Sequence, residues 1–267
     1  MELKEHWGSF YSENKSVDSF FCSPGRVPDK KPAITLIQEI WGVDEHIQDM
    51  ARRYASAGYF VAAPDLYSKG GKDAARSPGR ITELKDFLDR APMSVIMNED
   101  ERKKFVEREG PDRARRLVET MESIFKGRDM DGMVKTLNDT VSLLKGDMGA
   151  TSVGTVGYCM GGALSFMMST NREVDASVVY YGVAPEDEKL KDVSSPVLGL
   201  YGGEDHRISD AVPDVASKLK GLGKSYQYRI YDGAQHAFFN DTRSSYGYGA
   251  SKDAWARTLE FFRANLK

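Results

Sequence analysis

The chain is short of cysteine and histidine and has no long apolar run. Cys22 and Cys159 are the only thiols among 267 residues, so no disulfide framework holds the fold. Two thiols without a secretory signal read as reduced. The opening MELKEHWGSFYSENK is charged and reads as a surface leader, and no later stretch approaches the roughly 18 apolar residues of a membrane span. The expectation is a cytoplasmic protein with no membrane partner, in which the N-x-[ST] matches at Asn14, Asn138 and Asn240 arise by chance. Neither sign of charge dominates: 37 Lys and Arg face 40 Asp and Glu, interspersed, for a net charge of -3. That balance predicts no nucleic-acid partner, and any anionic substrate must be held by local groups. No H-E-x-x-H, clustered Cys/His or G-x-x-x-x-G-K-[ST] occurs, so neither a metal nor an organic cofactor is implied. No feature specifies the oligomeric state.

What is present is 40% hydrophobic residues, enough for a substantial core. AITLIQEI (33–40), YFVAAPDLY (59–67), SVGTVGY (152–158), ASVVYYG (176–182), PVLGLYGG (196–203) and SYQYRIYDG (225–233) have the apolar content and terminal turn residues of strands. Helical patterns separate them at about 44–57, 130–145, 161–170, 210–222 and from 250 onward. Strand and helix in alternation predict an α/β fold, a mostly parallel central sheet with helices on both faces. From about 68 to 129 the rhythm breaks into a charged stretch without a strand. It reads as a helical, cap-like insertion within a single domain spanning 1–267, packed over one end of the sheet, with a flexible charged excursion as the alternative.

Within TVGYCMGG, Gly157 and Gly161 flank Cys159 at two residues on either side. A residue held on a sharp strand-to-helix turn needs small neighbours at those positions, so G-x-C-x-G is the G-x-S-x-G elbow with sulfur for oxygen. A strand precedes it and a helical pattern follows. The elbow would expose the sulfur and aim a helix N-terminus at it, which favours thiolate. Alone, it leaves a buried structural thiol equally open.

A cysteine nucleophile needs a base, and there are four histidines: His6, His46, His206 and His236. His6 lies in the leader, and His46 begins a helical pattern, as a solvated or capping residue. His236, in YDGAQHAFF, follows the last strand, where open α/β sheets keep their sites. Asp205 follows PVLGLYGGE at another strand end and can fix the His236 tautomer. His206 is the rival base, but a neighbour of Asp205 points elsewhere. The order Cys159, Asp205, His236 is that of α/β-hydrolases.

These residues resemble the dienelactone hydrolases, or carboxymethylenebutenolidases. QEIWG (38–42), FVAAPDLY (60–67), GYCMGG (157–162), YYGV (180–183), GGEDH (202–206) and GAQHAF (233–238) run in that family's order across most of the chain. The resemblance implies an α/β-hydrolase fold, with Cys159 as nucleophile, His236 as base, Asp205 as its orienting acid and Glu39 as an additional carboxylate that activates the thiol. A carboxylate at the end of an apolar strand is costly unless paired or functional, which agrees with that role for Glu39. It further implies an oxyanion hole from the Ile40 and Met160 N–H groups, with Trp41 and Tyr181 as pocket-lining aromatics. The expected activity is hydrolysis of a small-molecule ester or lactone through an acyl thioester.

Two positions depart from the family pattern. The arginine usually found four residues after the histidine is Asn240 here, and the second substrate-binding arginine falls in the replaced segment, where Arg76, Arg80 and Arg90 are candidates. A broad carboxylesterase with an enlarged pocket is the alternative activity. A non-catalytic ligand-binding protein of the same fold and a thiol redox sensor are the rivals of other classes.

Overall fold

The computed structural model describes residues 2–25, 31–71, 73–91, 98–126 and 128–267. They divide into two compact units, Met1–Lys69 with Met130–Lys267, and Gly70–Asp129.

The larger unit is built on strands β1 (Leu3–Ser12), β2 (Lys15–Pro24), β3 (Ala33–Ile37), β4 (Phe60–Pro64), β5 (Val153–Tyr158), β6 (Ala176–Tyr180), β7 (Val197–Gly202) and β8 (Tyr226–Tyr231). They join in one sheet in the order β1-β2-β4-β3-β5-β6-β7-β8. Strand β2 runs antiparallel to both neighbours, and every other pair is parallel. The apolar runs of the sequence are continuous because both faces are covered. Ile34, Leu36, Val178 and Tyr180 point to one face, where they meet α1 (Glu45–Ser56) and the helix Tyr248–Asn265. Ala33 and Ile37 point to the other, against Met130–Lys145 and Met160–Met168.

Two expectations are corrected. The opening residues are no loose leader, since β1 pairs with β2 along its whole length, from Leu3 with Pro24 to Ser12 with Lys15. The two-residue loop uses Glu13 and Asn14, both with positive φ (50° and 61°), the geometry of a type I′ hairpin turn. His6 sits on this edge strand, exposed, with its ring stacked on Phe21. His46 is neither solvated nor capping: Asp44 caps α1 through the Ile47 N–H, and His46 is buried on the inward face beside Ile47 and Met50. Its Nδ1 lies 3.6 Å from Asp241 and its ring meets Tyr158 edge-on.

Among its described residues the smaller unit contains the 3-10 turn Ala74–Arg76 and the helices α2 (Pro78–Arg90), α3 (Glu99–Glu107) and α4 (Pro111–Phe125). Ile81, Leu84 and Phe87 of α2, Val106 of α3 and Leu117 and Ile124 of α4 are buried apolar residues within it. Arg116 of α4 reaches Glu83 of α2 with two hydrogen bonds. Residues 72, 92–97 and 127 of the charged stretch lie outside the described residues.

Candidate active site

All the candidate residues of the larger unit follow the carboxyl ends of parallel strands: Glu39 after β3, Cys159 after β5, Tyr181 after β6, Asp205 after β7 and His236 after β8. In open α/β sheets this is the end at which ligands bind.

Cys159 occupies the turn between β5 and the helix Met160–Met168 with φ 56° and ψ -115°, a strained conformation for a side-chain-bearing residue. The strain persists because the surroundings leave room for nothing else. A Cβ on Gly157 would lie 1.8 Å from the Gly161 carbonyl oxygen, and one on Gly161 would lie 2.4 Å from the carbonyl oxygens of Ile37 and Gln38. The elbow is therefore wedged between β3 and its own helix. Cys159 makes no side-chain bond to the helix it begins; its Sγ lies 3.3 Å from His236 Nε2.

On the far side of the ring, His236 Nδ1 lies 2.5 Å from Asp205 Oδ2. Asp205 is 6% exposed, so its carboxylate faces the imidazole in a largely dry setting. Partial burial disfavours the imidazolium, but the Asp205 and Cys159 contacts outweigh it and raise His236 from 6.5 to about 10. The folded ring keeps its proton where a free ring loses it, so the stability it contributes is complete below about pH 6.5 and lost as pH rises through about 10. An NMR titration of the His236 ring should show a midpoint near the upper value; one near 6.5 would contradict this pairing. His206 points away, exposed, with Nδ1 3.2 Å from Asp210.

Glu39 is 2% exposed. Its Oε1 accepts from the Tyr181 hydroxyl (3.2 Å) and its Oε2 from Asn240 Nδ2 (2.7 Å). Tyr181 has φ 39° and no exposed surface, so it lies behind the site rather than lining an open pocket. It links two candidates, with its hydroxyl on Glu39 and its ring edge-on to His236 at 5.1 Å. Trp41 is 9% exposed, and the Arg243 guanidinium lies 5.4 Å from its ring centroid.

Two contributors escaped the sequence reading. Tyr67, in the quoted FVAAPDLY stretch, donates its hydroxyl to the Ile40 carbonyl (3.1 Å) and lies 3.8 Å from Met160 Sδ, touching both candidate oxyanion residues. Gln38 accepts the Leu66 N–H at 3.1 Å and so ties the end of β3 to the segment after β4. Nothing in one sequence marks either, beyond their place at strand ends. The arginines proposed for a substrate carboxylate bind within the smaller unit itself. Arg76 bonds Ser123, Arg80 bonds Thr120 and Glu119, and Arg90 bonds Asp86 and Glu109.

The strand order, the elbow after β5 and the strand-end Asp and His define an α/β-hydrolase fold. Residues 17–266 match the Dienelactone hydrolase family, and the chain belongs to that family. A carboxymethylenebutenolidase of Pseudomonas putida is 27% identical over 242 residues, covering 90% of this chain and 87% of its own. A protein of Saccharolobus solfataricus, provisionally named a carboxymethylenebutenolidase, is 29% identical over 267 residues and covers 95% and 96%. A solved structure from Klebsiella pneumoniae, provisionally a dienelactone hydrolase, shares the fold with a TM-score of 0.75 at 24% identity, covering 98% of this chain and 99% of that one. The chain is a dienelactone hydrolase-like hydrolase.

Proposed function

We propose that this hydrolase cleaves a carboxylic ester or lactone by acyl transfer through Cys159. The observation that carries the reading is the unbroken contact from Cys159 Sγ to His236 Nε2 and from His236 Nδ1 to Asp205. With the thiol proton already resting on His236 Nε2, the sulfur attacks the carbonyl carbon. The carbonyl π electrons move to oxygen, where the Met160 and Ile40 N–H groups receive the oxyanion. Collapse breaks the acyl–oxygen bond, and the leaving oxygen takes the proton from His236. In a lactone that oxygen stays tethered and the ring opens. Water then gives a proton to His236 and its oxygen to the thioester, and the thiolate leaves with the acid released. Asp205 holds the imidazole in register and stabilises its protonated form. Glu39, beside this machinery through Tyr181, acts in thiol activation.

Alkylation tests the reading. Iodoacetamide is expected to modify Cys159 rapidly, with activity lost in step, while Cys22 is spared. Cys22 is 1% exposed, and burial pushes its thiol up to about 11. Equal reaction at both thiols, or activity surviving modification of Cys159, would refute it.

A second reading, hydrolysis of uncharged esters, is favoured by Asn240 at the family's arginine position. A strong preference for anionic over neutral esters would count against it.

Tyr67 supports the oxyanion donors from behind. Tyr67→Phe keeps the ring and removes the bond to the Ile40 carbonyl, so kcat is expected to fall roughly five-fold with KM little changed. An unchanged kcat would show that the hydroxyl is dispensable.

A further inference from the structure

We propose that Asn240 is a positioning residue for hydrolysis, a charge-neutral clamp on Glu39 whose direction is set by Thr242. The inference rests on the reading of Glu39 as the thiol's activating carboxylate.

Asn240 is fully buried. Its Oδ1 accepts from the Thr242 backbone N–H (3.0 Å) and from the Thr242 hydroxyl (2.7 Å). A backbone N–H can only donate, so the amide atom facing it is oxygen and the NH₂ must face the other way. That places Nδ2 on Glu39 Oε2 at 2.7 Å. The amide is thus oriented by one neighbour and spent on the other, with no rotational choice left.

The clamp joins two loops that matter. Asn240 stands four residues after His236, on a tight turn in which its N–H bonds the Ala237 carbonyl and its own carbonyl takes the Arg243 N–H. Glu39 immediately precedes Ile40, whose N–H is an assigned oxyanion donor. One hydrogen bond therefore holds the base-bearing loop against the loop that carries the oxyanion hole. It does so without a cation: both side-chain donors to Glu39, Asn240 and Tyr181, are neutral. Other ionisable groups near this contact are His236 and Cys159, reached through Tyr181, and Arg243, whose N–H bonds the Asn240 carbonyl and whose guanidinium lies over Trp41. Asp241 is occupied by His46 and Arg53 of α1.

The test measures kcat, KM and the pH profile of kcat/KM on a neutral aryl ester for the wild type and for variants at Asn240, Thr242 and Glu39. Asn240→Ala is expected to lower kcat roughly ten-fold with KM within about two-fold, since the loss falls on alignment. Asn240→Asp keeps the shape but sets a second carboxylate beside Glu39. The two cannot both ionise at that separation, so the acid limb of the profile should move to higher pH. Thr242→Val should reproduce part of the kcat loss and Thr242→Ser recover most of it. This pair decides the matter if the Asn240 variants do not fold.

Glu39→Gln separates the two claims. If Glu39→Gln keeps the wild-type kcat and profile, the reading of Glu39 fails. If Glu39→Gln is impaired while Asn240→Asp keeps the wild-type acid limb and Thr242→Val the wild-type kcat, Glu39 stands and the clamp is overturned.

Discussion

Cys159→Ala is expected to lower kcat/KM on esters and lactones by at least about 10⁴-fold while leaving the fold intact. The size follows from what the substitution removes. Without sulfur there is no acyl acceptor, and the remaining oxyanion and binding groups supply only a residual acceleration over water. The fold should survive because the Cys159 side chain makes a single hydrogen bond, to His236, and only partly buried apolar contact, whereas its backbone carries the turn through bonds to Tyr180 and Ala163. Alanine at a position with φ 56° is no more strained than cysteine. No other thiol can substitute, since Cys22 is buried on β2. Cys159→Ser should retain a small residue of activity, because a hydroxyl in the same place gives up its proton far less readily. Activity of Cys159→Ala within ten-fold of the wild type would discard the nucleophile.

The largest effect on stability is expected at Gly157. An alanine methyl there would lie 1.8 Å from the Gly161 carbonyl oxygen and 2.8 Å from the Gly162 nitrogen, both backbone atoms of the helix that follows the elbow. No rotamer relieves that overlap, because Cβ has none. Either β5 or the helix must move, and both are packed into the sheet. Gly157→Ala should cost more than about 4 kcal/mol, beyond the range of ordinary substitutions, or prevent folding. Gly79 gives the contrast. It sits in α2 with nothing within 4 Å of an added Cβ. Gly79→Ala should be neutral or stabilising by up to about 1 kcal/mol, because alanine loses less entropy in a helix. Denaturant unfolding of the two variants checks both, and a Gly157→Ala protein as stable as the wild type would contradict the packing of the elbow.

What the sequence disclosed divides along physical lines. Strands β3 to β7 were legible because each is buried and so appears as an apolar run, and β8, whose residues are mostly exposed or half-buried, because its tyrosines and isoleucine end in turn residues. The elbow was legible because a steric demand selects glycine at fixed spacing, and Asp205 and His236 because strand ends collect at one edge of the sheet. Strands β1 and β2 were not. Strand β1 is an edge strand whose residues are mostly exposed, its turn is Glu-Asn rather than the Asn-Gly that usually marks a type I′ loop, and β2 mixes serines and an aspartate with its apolar residues. The buried position of His46 was hidden because its partner, Asp241, belongs to the loop after His236. The same holds for Glu39. Its end-of-strand position signalled an unusual carboxylate, but its donors lie 142 and 201 residues away, and spacing carries no information on such pairs. Asn240, which the sequence marks only as a departure from the family's arginine, is in the fold a buried donor to Glu39.

Hydrolysis through Cys159 requires an acyl group to pass through one sulfur. Turnover of an aryl ester whose acyl–enzyme hydrolyses slowly, quenched in acid and read by intact mass and peptide mapping, tests this most directly. The predicted result is a mass increase equal to the acyl group, on the peptide containing Cys159, removed by neutral hydroxylamine and absent from Cys159→Ala. An acyl group on any other residue, or full turnover with no adduct under conditions where acylation outruns hydrolysis, would contradict it.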